Sequence, residues 1–418
     1  MIEEQPAERA TANGAKPMNR DLHAAKAAKQ DEFYTQYVDI QKEDEAYLEF
    51  DPDTFRDKVV YCNCDDPFES NFFRYFAANF NKLGLKKLVT TSYDGSPIAG
   101  QLTLFPEYNE GNGKRQKPKA LAVILDHVKD EDGDGAANID DVKLFLKRNK
   151  AARIALKGND IYPGGDFRSA ECIALLKEAD IVVTNPPFSL FKEYVAQLVA
   201  HEKKFLIIGN MQAITYLETF PLIKDNKLWL GVTIHSGDRE FRVPDHYPLN
   251  AAGYRVDNGV KYIRVKGVRW YTNLDHGHRH QQLPLMTMED NLRFSKHKEI
   301  KGKAAYNRYE NYDAIEVPFT DAIPTDYDGV MGVPITFLDK YSPEQFEIVG
   351  TLDSSDPDNP YRTRWYSAQD QKDAFFRRFG KPGSFPLNMS GVINDVKVYK
   401  RILIRHCRRA RPAGRTIK

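Results

Sequence analysis

The sequence predicts a doubly wound α/β fold on a mostly parallel sheet, followed by a C-terminal α+β region. Six short runs, KVVYCN (58–63), KKLVTTS (86–92), KALAVILD (119–126), ARIAL (152–156), ADIVVTN (179–185) and KKFLIIGN (203–210), are apolar almost throughout. Strands covered on both faces read this way, whereas half-exposed strands alternate. Helical patterns stand between them. Phe72, Phe76 and Phe80 recur every fourth residue, and after Pro187 so do Leu190, Tyr194 and Leu198, with Phe191, Val195 and Val199 beside them. From about residue 236 the chain changes to Tyr, Pro and Asp–Gly-type turns with few long helical patterns. Repeated strand–helix–strand units place a ligand beyond the carboxyl ends of the strands.

At 418 residues the chain is long enough for two or three folding units. We read residues 1–30, rich in Ala, Lys and Glu and without aromatics, as a mobile arm, 31–235 as the α/β unit, 236–395 as the α+β region and 396–418 as a basic tail. Hydrophobic residues make up 41% and charged residues 28%, too apolar a balance for global disorder. No apolar run reaches the roughly 18 residues of a membrane span, and MIEEQPAERATANGAKP carries no apolar leader segment. The four cysteines, Cys62, Cys64, Cys172 and Cys407, make neither a disulfide framework nor a zinc pattern. Together these predict a cytoplasmic protein. The net charge of +1 is uninformative, but residues 396–418 hold nine basic side chains and no acidic one. Such a tail is drawn to phosphates, or is simply solvated.

The most informative stretch is Asp180-Ile-Val-Val-Thr-Asn-Pro-Pro-Phe188. A buried strand runs into Asn185, and Pro186 and Pro187 forbid further ladder pairing. The chain therefore leaves the sheet with Asn185 and Phe188 at the rim. That arrangement suits methylation of a planar exocyclic amine, whose lone pair is delocalised into its ring. The Asn185 side-chain oxygen and the Pro186 carbonyl each accept one N–H, so the nitrogen pyramidalises and its lone pair meets an electrophilic methyl. Phe188 stacks on the ring, and the gain is one of positioning.

In Lys58-Val-Val-Tyr-Cys-Asn-Cys-Asp-Asp-Pro-Phe-Glu-Ser70, a strand meets a tight turn and a helix start. Asp66 is read as N-cap, Pro67 as first helical residue and Glu69 as the returning capping partner. Helix-terminal amides hold a ligand carboxylate and Asp65 a ligand ammonium, as the methionine end of S-adenosylmethionine requires; plain capping is the alternative. Asp130-Glu-Asp-Gly-Asp-Gly135 through Asp141 resembles an EF-hand loop, but its last position is Asp and a strand pattern precedes it, so we read an acidic surface loop and no metal. His276, His278 and His280 alternate like ligands on one strand face, yet lack a completing carboxylate; a polar, phosphate-facing loop is the preferred reading.

Asn185-Pro-Pro-Phe188, Asp31-Glu-Phe-Tyr-Thr-Gln36 and Gly165-Asp-Phe-Arg-Ser169 together resemble the EcoRI-type adenine-specific DNA methyltransferases. VRWYTNLDH (268–276), NYDAIEVP (311–318) and DYDGVMGVPITFLDKYSPEQFEIVG (326–350) extend the similarity into the C-terminal region. The resemblance implies a Rossmann-like S-adenosylmethionine-dependent fold with target recognition toward the C-terminus. It makes Asn185, Pro186, Pro187 and Phe188 the catalytic motif. It has Phe33, Tyr34 and Thr35 close over the methionine end of the cofactor, and Asp166 and Phe167 border its adenine, with Asp166 accepting from the amino group. The family's glycine-rich first motif is replaced by Cys62-Asn63-Cys64-Asp65-Asp66-Pro67, where Asn63, Asp65 and Asp66 are expected to contact the cofactor, and the acid expected after the second strand is represented only by Asp94.

The reaction expected is methyl transfer to N6 of an adenine flipped out of double-stranded DNA, with a cognate restriction endonuclease as possible functional partner. Arg239, Arg242, Arg269, Trp270, Asn273, His276, His278 and Arg279 are candidate base contacts. Rival readings are an rRNA-base or protein-glutamine methyltransferase using the same Asn-Pro-Pro-aromatic chemistry, and a non-catalytic DNA-binding protein on a methyltransferase fold.

Overall fold

The computed structural model describes residues 34–64, 70–93, 120–235, 238–243, 253–353 and 358–407. The expected arm, the end of the basic tail, and Phe33, Asp65, Asp66 and Asp94 lie outside the described residues.

Strands β1 (Val59–Cys62), β2 (Lys87–Thr91), β3 (Leu121–Leu125), β4 (Arg153–Ala155), β5 (Ile181–Thr184), β6 (Lys204–Asn210), β7 (Trp229–Leu230) and β11 (Val268–Thr272) form one sheet in the order β4-β3-β2-β1-β5-β6-β11-β7. All six apolar runs are strands in it. Its centre, β2-β1-β5-β6, is parallel, but β3 and β11 run against their neighbours, so the sheet is mixed. KALAVILD, expected among the parallel strands, is the antiparallel β3.

Helices cover both faces, which is why the strands read as unbroken apolar runs. Val60, Cys62, Ile181, Val183, Leu206 and Ile208 face one core with helices α1 (Tyr37–Phe50), α2 (Asn71–Ala78) and, after the short α3 (Phe80–Leu83), α4 (Ile139–Arg148). Val59, Tyr61, Val182, Phe205 and Ile207 face the other, with α5 (Ala170–Glu178) and α6 (Phe191–Ala200). Helix α6 buries Phe191, Tyr194, Val195 and Leu198, the stripe its spacing predicts. A buried carboxylate locks α1 in place: Glu43 accepts from the backbone N–H groups of Val232 and Thr233, both at 2.7 Å.

Beyond residue 235 the chain first adds a three-stranded antiparallel ribbon of β8 (Asp238–Val243), β9 (Tyr254–Asp257) and β10 (Val260–Lys266), in the order β8-β10-β9. It then returns as β11 to the first sheet, so the boundary expected at 235 does not separate two sheets. A second sheet of β12 (Ile315–Glu316), β13 (Met331–Pro334), β14 (Phe346–Thr351) and, after a small hairpin of β15 (Val392–Ile393) and β16 (Val396–Lys397), β17 (Arg401–His406) follows in the order β12-β13-β17-β14. Its Ile315, Val333, Ile348 and Ile402 share a core with Val182, Ile207 and Tyr271 of the first sheet. Strand β17 lies within the stretch read as a basic tail. Lys400, Arg401 and Arg405 there pair with Asp353, Glu316 and Glu347, so these charges are answered inside the fold.

Candidate active site

The carboxyl ends of β1, β2 and β5 meet in a hydrogen-bonded knot. The Thr91 hydroxyl donates to Asn63 Oδ1 at 3.1 Å and accepts from Tyr61 Oη at 3.1 Å. Cys64 N–H donates to the same Asn63 oxygen at 2.7 Å, and the Thr184 hydroxyl donates to the Asn63 carbonyl. Asn63, expected to contact the cofactor, is 1% exposed, and its side chain ties strand ends together. It shapes the site from behind.

Asn185 follows Thr184 directly, so the knot fixes its place at the rim. It is 7% exposed, Pro186 is buried, and Pro187 and Phe188 are half-buried, with Phe188 against the first core. The prolines end β5, a short 3-10 turn spans Phe188–Leu190, and α6 begins at Phe191.

The helix after β1 starts later than its sequence suggested. Helix α2 begins at Asn71, and Ser70, not Asp66, is the N-cap, its hydroxyl accepting from Phe72 and Phe73 N–H. Only from Asn71 onward do Phe72, Phe73 and Phe76 reach the core together. Asn71 Nδ2 donates to the Thr35 carbonyl at 2.7 Å, and Tyr34 pairs with Arg242 through both backbone hydrogen bonds. Tyr34 and Thr35, both buried, thus lie against the start of α2 and the edge of β8.

Asp166 reaches the same rim from the β4–α5 connection. Gly165 has φ of +78°, and a Cβ there would lie 1.8 Å from the Ser92 carbonyl oxygen, just past β2; only glycine permits this approach. Ser169 caps α5. The Phe167 ring, expected to border a ligand, is buried edge-on against Tyr194 instead.

Arg168 is the residue the sequence reading missed. Its Nε and terminal nitrogen donate to Asp166 Oδ1 and Oδ2 at 3.0 and 2.9 Å, and its other terminal nitrogen pairs with Glu193 at 2.9 Å. The guanidinium lies 4.8 Å from the Tyr162 ring centre and 5.2 Å from that of Phe167. The hydrogen bonds it donates to Asp166 and then to Glu193 raise its pKa. The fork leaves Asp166 Oδ2 with acceptor capacity, since each carboxylate oxygen has two lone-pair sites.

Other candidates do not converge. His276 is buried, bonded to the Leu230 carbonyl, and burial lowers its pKa to about 4. His280 stacks on Phe50 and pairs with Asp275 and Glu344, and His278 faces His235, so the three histidines do not form a ligand set. Arg269, Trp270, His276 and Arg279 are at most 6% exposed and cannot read a base. In the acidic loop the Asp130, Asp132 and Asp134 carboxylates converge, but they accept from the loop's own amides, and Asp141 closes the cap of α4.

Among the described residues no helix is long and apolar enough to cross a membrane. No solved structure gives a significant match to the chain. The family model for adenine-specific methyltransferase EcoRI matches residues 21–407. The chain is 46% identical over 338 residues to the type II methyltransferase M.EcoRI of Escherichia coli, covering 79% of this chain and 89% of that one. It is 35% identical over 345 residues to the type II methyltransferase M.MpnI of Mycoplasma pneumoniae (82% and 87%) and to M.MgeORF184P of Mycoplasma genitalium (82% and 88%). By the extent of both matches, the chain belongs to the EcoRI family of adenine-specific methyltransferases.

Proposed function

We propose that the protein transfers a methyl group from S-adenosylmethionine to N6 of an adenine flipped out of duplex DNA. The observation that carries this reading is the placement of Asn185-Pro-Pro-Phe188 at the carboxyl end of β5, beside the ends of β1 and β2.

The rim suits that cofactor. Asp166 Oδ2 would accept from an exocyclic amino group, Gly165 lets the Asp166 turn pack against Ser92, and Thr35 is tied to Asn71 at the start of α2. When bound, the cofactor supplies an electrophilic methyl on a sulfonium. The protein's own part is to grip and aim the amine. The Asn185 side-chain oxygen and the Pro186 carbonyl take its two N–H groups, and Phe188 holds the ring flat. Because Asn185 is only 7% exposed, a base reaches it only when covering side chains shift, which couples entry to dehydration of the amine. Flipping costs a few kcal/mol, offset by stacking and phosphate contacts. The ribbon and the second sheet would recognise the target, and a cognate endonuclease would be a functional partner.

Mapping N6-methyladenine in the genome of a host expressing the protein tests this reading. Modified adenine at a single sequence context supports it; methyl label found only in RNA or protein overturns it.

A further inference from the structure

We propose that the solvent face of the ribbon β8-β10-β9 is a contact surface for the phosphates of duplex DNA, carried chiefly by Arg264 and Lys266. The assignment rests on the DNA reading above and adds to it the element that meets the duplex beside the catalytic rim.

The roots of the ribbon set its location. Lys266 ends β10, Gly267 turns the chain with φ of +67°, and Val268 pairs with Asn210, the last residue of β6. Strand β6 is the parallel neighbour of β5, whose last residue Thr184 precedes Asn185, so the ribbon springs from the same end of the sheet. Its outer edge is joined by Tyr34, through hydrogen bonds of 3.1 and 3.3 Å with Arg242. The ribbon therefore lies between the expected cofactor segment and the sheet that presents Asn185.

Its two faces have opposite character. Phe241, Val243, Ile263 and Val265 are buried in the first core, and Arg239 on that side lies near Asp39 of α1. Alternation turns Tyr262, Arg264 and Lys266 outward, and Arg264 and Lys266 are exposed. On that outward face stand Arg242, Arg255, Arg264 and Lys266 with Asp238, Glu240 and Asp257, Glu240 lying across from Arg264 and Asp238 across from Lys266. Arg255 engages two of those acids, Glu240 and Asp257, at 2.7 and 2.8 Å. Among the described residues Arg264 and Lys266 make no ion pair. The exposed guanidinium of Arg264 and ammonium of Lys266, rooted at the rim of a site for an extruded base, are complementary to the phosphates flanking that base.

The test compares the full-length protein with an Arg264→Ala/Lys266→Ala double variant, using labelled random-sequence duplexes across a series of salt concentrations. The variant is expected to bind DNA about tenfold more weakly at moderate salt, with the slope of log affinity against log salt reduced by about two. Its melting temperature and S-adenosylmethionine affinity should match wild type, and an Arg264→Lys/Lys266→Arg variant should bind DNA normally. Wild-type affinity and slope in the alanine variant overturn the assignment, as does equal loss in the charge-preserving variant. If the wild-type protein methylates plasmid DNA yet the ribbon variants behave alike, only the ribbon assignment falls. If it methylates none, the underlying reading falls with it.

Discussion

Asn185 and Arg168 show how differently two candidate site residues reveal themselves. Asn185 is legible because an apolar run followed by two prolines must leave the sheet at that point, whatever the rest of the chain does. Arg168 is not, because its fork with Asp166 depends on the turn that Gly165 makes against Ser92, and no spacing rule reports such a turn. The position of Phe167 escapes the sequence for the same reason: its ring follows the turn to pack against Tyr194 of α6. The fork holds the Asp166 carboxylate in one orientation. Arg168→Ala should therefore weaken S-adenosylmethionine binding by about tenfold, or 1.4 kcal/mol. Arg168→Lys should restore little of it, since an ammonium cannot grip both oxygens in a plane. Isothermal titration of the three proteins checks this, and wild-type affinity in the alanine variant would remove the role assigned to the fork.

At the scale of elements, the period of the apolar residues located the strands and helices, while their ends and partners escaped it. Ser70 and Asp66 are both good caps by composition, and the choice fell to Ser70 because Phe72, Phe73 and Phe76 must meet the sheet. Ser70→Ala should cost about 1 kcal/mol of stability, read as a lower denaturant midpoint with unchanged slope; no shift would mean the cap is replaced. Strand β11 is recognisable as a strand in VRWYT, but its pairing with β6 joins residues some 60 apart, so the first sheet runs past the expected boundary. The pairing of Lys400, Arg401 and Arg405 within the basic stretch was not legible, because Asp353, Glu316 and Glu347, their partners, lie far away in sequence.

Over the whole molecule the two sheets share one apolar core, so the proposed recognition and catalytic parts would rest on a common frame. His276 lies at the edge of the first sheet near Leu338 and Tyr341, between the parts. Burial lowers its pKa from 6.5 to about 4. Between those values the unfolded chain binds the extra proton and the folded one does not, so this contribution is complete above pH 6.5 and is lost as pH falls toward 4. The loss should be on the order of 3 kcal/mol, and His276→Gln should flatten that limb of the stability–pH profile measured by chemical denaturation; an identical limb in the variant would exclude it. The account as a whole turns on the carboxamide at the end of β5. With tritiated S-adenosylmethionine and duplex DNA, followed by digestion to nucleosides, wild-type protein should place label on N6-methyladenine. Asn185→Ala should lose at least about a hundredfold in rate while keeping cofactor affinity. Label on another base, or undiminished transfer by the variant, would contradict it.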